Sequence, residues 1–274
     1  MMLTGCGRKQ AEEEKKAQEA AEEARLAEEQ RIREEQEAEA RRREEEERAK
    51  QEEIERQQAE EAAKKLALTI VIDPGHSGVV AGGTEPLGPG SSEYKAADAS
   101  GTRGTTTGVP EYELTLTISL QLKNELEARG YTVLLTRESN DVPLSCVQRA
   151  ETANQAGAAA FVRIHANGSE SSDARGAMTI CTTPQSPYVP ELYAASRQLS
   201  DCIITKLCEA TGCENDGVWE TDSMSGNNWS KVPATIVEMG YMTNPEEDLL
   251  MQTPEYQLKI TQGIADGIDA FLGY

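Results

Sequence analysis

The chain has 274 residues, in which 48 Asp and Glu outnumber 27 Lys and Arg, for a formal net charge of −21. Such an excess of carboxylate excludes nucleic acid as a charge-driven partner, and it gives no attraction to an anionic membrane or wall surface. None of the six cysteines forms a C-x-x-C pair, which disfavours a thiolate zinc site.

The start, Leu3-Thr4-Gly5-Cys6, resembles a bacterial lipobox, in which the cysteine carries lipid. Only five residues precede Cys6, too few for the charged start and apolar stretch of a signal peptide. Either the match is chance or the reading frame continues upstream, which is the expectation. On this reading residues 1–7 are the end of a leader, Cys6 attaches the protein to a membrane through acyl chains, and the protein lies outside the cytoplasm.

Residues 8–65 are almost entirely Glu, Arg, Lys, Gln and Ala, with no Gly or Pro. Propensity predicts a helix, and favourably ordered pairs such as Glu12–Lys16, Glu29–Arg33, Glu37–Arg41 and Glu44–Arg48 support it. Leu26, Ile32 and Ile54 form no heptad seam, so a two-stranded coiled coil lacks its apolar drive. The expectation is a solvated spacer about 85 Å long at about 1.5 Å per residue, open to a protein partner. A partly disordered charged linker is the alternative.

From residue 66 to 274 the sequence becomes mixed and regular. Strand signals fall at Leu68–Asp73, Thr132–Thr136, Ala160–Ile164, Ala177–Thr182 and Ala234–Glu238. Helix signals fall at Tyr112–Arg129, Leu144–Gln155, Pro190–Thr211 and Pro254–Leu272. The alternation predicts a single α/β domain with a central twisted sheet, mixed but mostly parallel, and helices on both faces. The Gly-, Ser- and Thr-rich stretch Val79–Pro110 breaks the rhythm and reads as a long loop that rims a site or as a surface insertion. Cys208 and Cys213 bracket a turn and are candidates for a bridge, with small buried residues as the alternative.

Both histidines of the chain, His76 and His165, sit just beyond an apolar run. Ligands of open α/β sheets bind outside the carboxyl ends of the strands, so two imidazoles there, with carboxylates nearby, suit a zinc ion. Strand-end histidines bonded to backbone are the simpler reading. Glu238 ends the buried run Ala234–Val237, where a carboxylate is costly without a partner. It is either a general base or a structural Glu paired with Arg137 or Arg149, which otherwise read as core-edge ion pairs. Asn167 reads as a substrate contact or a turn cap. The segment Trp219–Trp229, with Asn228, reads as a groove wall or as packing.

Several motifs then stand in order. They are Ile70-Val71-Ile72-Asp73-Pro74-Gly75-His76, Glu111 ahead of Leu116, Leu135-Thr136-Arg137, and Arg149 with Ala153-Asn154. Ile164-His165-Ala166-Asn167 and Ile236-Val237-Glu238-Met239-Gly240 with Thr243-Asn244 complete the set. Together they resemble the zinc-dependent N-acetylmuramoyl-L-alanine amidases that cleave bacterial peptidoglycan. The resemblance implies zinc held by His76, Glu111 and His165, with Glu111 favoured over Glu113, and Glu238 as general base. It implies hydrolysis of the amide between N-acetylmuramic acid and L-alanine; Asn167 and Asn228 are candidate substrate contacts by their position alone. The rivals are a non-catalytic wall tether and a zinc peptidase of similar fold. One departure stands out: Arg163 lies where the family often has a small polar residue.

Overall fold

The computed structural model describes residues 6–274, with side chains from residue 10 onward, so Leu3, Thr4, Gly5 and the Cys6 side chain lie outside the described residues. The chain divides into two units between Glu61 and Ala62. Helix α1 (Cys6–Leu66) forms the first unit up to Glu61, and its last turn belongs to the second. Its apolar residues stay in solvent, Leu26, Ile32 and Ile54 being 54%, 45% and 47% exposed. Ion pairs lace its surface in both orders. Arg41 reaches back to Glu37 at 3.6 Å, whereas Arg33 and Arg48 reach forward to Glu37 and Glu52 at 3.8 and 3.5 Å. Each such exposed pair contributes only about 0.3–0.5 kcal/mol, so the helix rests on the propensity of its Ala, Glu and Arg residues as much as on them.

The second unit holds a six-stranded sheet in the order β4-β1-β5-β8-β6-β7. Strands β1 (Thr69–Pro74), β4 (Thr132–Leu135), β5 (Ala160–Asn167) and β8 (Ala234–Tyr241) run parallel. Strand β6 (Ala177–Cys181) is antiparallel to β8 and parallel to β7 (Asn215–Glu220). The mixed, mostly parallel sheet is as the sequence alternation predicts. The strand period of two sorts the side chains. Ile70, Ile72, Val162, Ile164, Val237 and Met239 face the main core. Helices α2 (Glu111–Ala128), α4 (Tyr193–Thr211) and α7 (Pro254–Leu272) cover that core. Val71, Phe161 and Ala234 face the other side, against Ala150 and Ala153 of helix α3 (Cys146–Ala156).

On this second face the pattern turns from apolar to charged toward the strand ends. Phe161, Arg163 and His165 follow one another along β5, Val71 and Asp73 along β1, and Ala234, Ile236 and Glu238 along β8. The core thus ends at a polar shelf at the carboxyl edge of the sheet. Helix α3 starts at a capping box, Ser145 accepting from Gln148 N–H and Gln148 bonding back to Ser145 N–H, which fixes the turn that carries Arg149.

The stretch read as a loop contains a two-stranded hairpin, β2 (Thr84–Pro86) with β3 (Tyr94–Ala96). Its strands of three residues each are too short to leave a periodic signal. The stretch does rim the site, through Lys95, Ala96, Asp98 and Ala99. Strand β7 and the short helices α5 (Ser225–Asn228) and α6 (Pro245–Met251) were also not legible. Fully buried Asp248 on α6 accepts N–H bonds from Thr106 and Thr107, both at 2.8 Å, and so secures the loop that leads into Glu111.

Candidate active site

Three side chains from distant parts of the chain converge at the carboxyl edge of the sheet. His76 follows β1, Glu111 is the first residue of α2, and His165 lies near the end of β5. His165 Nδ1 is 3.2 Å from His76 Nε2 and 3.1 Å from Glu111 Oε1, and His76 Nε2 is 3.2 Å from the same oxygen. The three atoms form a nearly equilateral triangle. Ligands about 2.0–2.1 Å from one tetrahedral ion stand about 3.3–3.4 Å apart, so the spacing fits a single metal ion. Two neutral nitrogens and one carboxylate oxygen are also the donor set that suits zinc.

Each donor is held by its surroundings. The Ala99 carbonyl, an acceptor only, lies 2.7 Å from His76 Nδ1, so that nitrogen carries the proton and Nε2 presents its lone pair. Glu111 Oε1 accepts Ala166 N–H at 3.1 Å and Oε2 accepts Thr102 N–H at 2.8 Å. His76 has φ 59°, a conformation costly for a residue with a Cβ. Two buried arginines maintain it. Arg137 donates to the Pro74 and Gly75 carbonyls at 3.0 and 2.9 Å, and Arg149 to the Pro74 and His76 carbonyls at 2.8 and 2.9 Å. Gly75 is required for space, since a Cβ there would stand 2.4 Å from the His165 ring.

The electrostatics match. Burial alone would raise the Glu111 carboxyl, but hydrogen bonds from His165 and His76 hold it well below the usual carboxylate range. Burial pushes His165 down to about 4. Burial would lower His76 too, yet Glu111 and the Ala99 carbonyl keep it above its ordinary value. One carboxylate does not hold two imidazolium ions 3.2 Å apart, and the more enclosed ring stays neutral.

His165 and Glu238 are register partners on β5 and β8, and both line a cavity of about 320 Å³ with His76, Asp98, Arg149 and Arg163. Glu238 Oε2 is buried without a hydrogen-bond partner among the described residues. Burial, with the Glu111 charge added, pushes its carboxyl up to about 8. No arginine salt bridge forms to it among the described residues, so the pairing with Arg137 or Arg149 entertained from sequence is not made. Arg149 instead holds Asp73 at 2.8 Å, and Arg137 donates to neutral oxygens.

The remaining candidates fall elsewhere. Glu113 is exposed on α2 and not part of the triad. Asn167 caps its own turn, its Oδ1 accepting Gly168 N–H at 2.8 Å. Asn228, expected on the groove wall, is fully enclosed, and its amide donates to the Leu87 and Asp222 carbonyls at 3.0 and 2.8 Å. It ties α5 to the segment before the hairpin's second strand, while Met224 and Ser225 line the cavity. The Ala99 carbonyl, the Thr102 N–H and the arginine clamps were not found from sequence. Backbone partners carry no residue-type signal.

A mixed α/β sheet with, at its carboxyl edge, a His-Glu-His group that could hold a metal ion and a Glu with a buried, unpartnered carboxyl oxygen has the makings of a hydrolase site. The family described as N-acetylmuramoyl-L-alanine amidase matches residues 70–270. An N-acetylmuramoyl-L-alanine amidase of Mycobacterium tuberculosis is 30% identical over 212 residues, which are 75% of this chain and 86% of that protein. The amidase LytC of Bacillus subtilis is 31% identical over 201 residues, 73% of this chain and 34% of LytC. The crystal structure of the amidase Ami1 from Mycobacterium smegmatis superposes with a TM-score of 0.69 at 27% identity, covering 76% of this chain and 98% of that one. The chain belongs to the N-acetylmuramoyl-L-alanine amidase family, and it is a peptidoglycan hydrolase.

Proposed function

We propose that this amidase cuts the bond between the lactyl carbonyl of N-acetylmuramic acid and L-alanine with zinc held by His76, Glu111 and His165 and with Glu238 as proton carrier. The observation that carries the reading is the triangle of three donors with a partnerless carboxyl oxygen on the neighbouring strand. Zinc, when bound, supplies Lewis-acid activation of the carbonyl and of the attacking water. Glu238 accepts a proton from that water at Oε2 and gives it to the departing alanine nitrogen. Its raised affinity for protons suits the second step, and the nearby cation suits the first by lowering it. Arg137, Arg149 and Gly75 position the two imidazoles.

The substrate places the protein at the cell wall. Among the described residues no helix is long and apolar enough to cross a membrane. Residues 8–65 act as a spacer ahead of the catalytic residues 66–274, and Cys6, with residues 1–7, provides lipid attachment. Mass spectrometry of the N-terminal peptide for acyl groups tests that attachment. For the reaction, purified peptidoglycan is digested with the zinc-loaded protein and the products are analysed by mass spectrometry. Intact stems with a free L-alanine amine are expected. Cleavage inside the stem would mean a peptidase, and no release would mean a tether.

A further inference from the structure

Three arginines are buried behind the site, Arg137, Arg149 and Arg163, at 2%, 1% and 4% exposure, and the last two line the cavity. Two of them use their hydrogen-bonding capacity within the fold. Arg137 donates from Nε, Nη1 and Nη2 to Pro74, Ser139, Asn140, Gly75, Tyr112 and Thr115. Arg149 donates from all three nitrogens to Leu144, Asp73, Pro74 and His76. Arg163 does not. Its Nε donates to Asp73 Oδ2 at 2.9 Å, Nη2 has only the Cys146 sulfur at 3.9 Å, and Nη1 donates to no group among the described residues.

That unfilled fork lies at the catalytic cavity. Arg163 is two positions before His165 on the same face of β5, and it lines the cavity together with His165 and Glu238. Gly226 lies against the guanidinium, and a Cβ there would stand 2.5 Å from Nη1 and 2.6 Å from Cζ. Any side chain at 226 would press on the fork. Lys95, from the hairpin, adds a second cation at the rim, its Nζ donating to the Ser223 carbonyl at 2.7 Å. Glu85 and Glu238 lie within electrostatic reach of Arg163, but neither forms a salt bridge to it among the described residues. A largely buried guanidinium that lines the cavity with its planar edge unpaired is built for an acceptor that arrives with the substrate, and a carboxylate matches that edge with two parallel bonds.

We propose that Arg163 is a specificity-determining residue that binds a free carboxylate of the stem peptide close to the scissile amide. This rests on the amidase reading above. The nearest such group is the α-carboxyl of the residue after L-alanine when that residue is linked onward through its side-chain carboxyl. In some walls this group is free and in others it is amidated. The amide offers one acceptor oxygen without charge, and its NH2 meets the guanidinium donor to donor. The enzyme therefore prefers acidic stems over amidated ones.

The test compares soluble muropeptides that differ only in this group, free acid or amide. The zinc-loaded wild type should show a kcat/KM at least about tenfold higher on the acid, the scale of one charge-assisted contact. Arg163→Met should bring the ratio close to one, Arg163→Lys should restore part of it, and Gly226→Ala, which keeps the arginine but crowds its fork, should lower it. Equal wild-type rates on the two substrates would overturn the proposal whether or not any variant folds. So would an equal loss on both in Arg163→Met, because that is the signature of a residue acting only through Asp73. Release of stems from neither substrate by the wild type would remove the amidase reading itself, a different result from release without preference.

Discussion

His165 and Glu238 are paired across β5 and β8, and directly beyond them the register slips, between His165 and Asn167. The regular ladder is interrupted at the cavity and resumes with Asn167 opposite Tyr241. Each residue also carries a buried atom with no hydrogen-bond partner among the described residues, Nε2 of His165 and Oε2 of Glu238. Unsatisfied polar atoms at a register break cost stability, and both belong to side chains that face the same cavity.

The first prediction concerns that cost. The buried Glu238 carboxyl titrates near about 8 against an ordinary 4.5, so the folded protein holds this proton more tightly than the unfolded chain. Its contribution to stability is complete below pH 4.5 and is lost as the pH rises to about 8. In chelator-treated protein, Glu238→Gln should therefore gain stability over wild type across that interval, by up to a few kcal/mol at the alkaline end. Urea unfolding of both proteins at half-unit pH steps measures the difference. A difference that stays flat with pH would show that Glu238 is not held protonated. The same variant should retain metal and lose hydrolysis of peptidoglycan.

A second prediction follows from the two imidazoles. Only His76 has its affinity for protons raised, while His165 is already neutral above about pH 4. Metal uptake near neutral pH should thus release a proton from His76, and affinity should weaken as the pH falls, starting above 6.5, the ordinary imidazole value. Titration calorimetry in buffers of different ionisation enthalpy counts the protons. Glu111→Ala should weaken zinc binding by more than about a hundredfold, beyond what changes behind the ligands produce, whereas Glu113→Ala should leave it unchanged.

The parts of this arrangement that were legible in sequence share one property. His76, His165 and Glu238 each terminate an apolar run, and such a run both forms a buried strand and fixes where its end emerges. Glu111 needed the family resemblance, because an acidic first residue of a helix looks the same whether it serves the helix or a metal. Arg137 and Arg149 show what sequence conceals. They read as core-edge ion pairs, yet much of their work is on backbone carbonyls, and every residue has a carbonyl. Asn228 misled for the opposite reason. Polar residues near aromatics suggest a groove, but here the asparagine is sealed in as a strap.

The third prediction isolates that clamp. Burial alone would raise the Asp73 carboxyl, but Arg149 and Arg163 hold it well below the usual carboxylate range. Arg149→Met removes one of these partners and frees the carbonyls of Pro74 and His76. Breaking a fully buried pair costs about 3–5 kcal/mol, so the midpoint of urea unfolding should fall markedly. Because His76 sits at positive φ under this clamp, zinc affinity should fall with it, even at temperatures where the variant is fully folded. Loss of stability with unchanged zinc binding would mean that the turn at residues 74–76 keeps its shape without Arg149.

The last prediction lies away from the catalytic face. The Cys208 and Cys213 sulfurs are 3.1 Å apart, where helix α4 ends and the chain turns through Gly212. The hydrogen-bond contact between the two sulfurs brings the Cys213 thiol down to about 7, while the partner thiol is raised. Burial pushes Cys146 and Cys202 up, and Cys181 to about 11. Cys213 is thus the nucleophile that attacks a disulfide oxidant, and Cys208 the thiol that resolves the mixed disulfide. Treatment with oxidised glutathione at pH 7.5 should consume two thiols per chain and join the peptides that hold residues 208 and 213. The released thiolates leave as two molecules of glutathione. Cys208→Ser should instead stop at the mixed disulfide on Cys213, visible as an added glutathione mass. The loop closed is short, so the gain in stability should be modest, about 2 kcal/mol or less. If oxidation first modifies Cys146 or Cys202, the thiolate does not reside at Cys213.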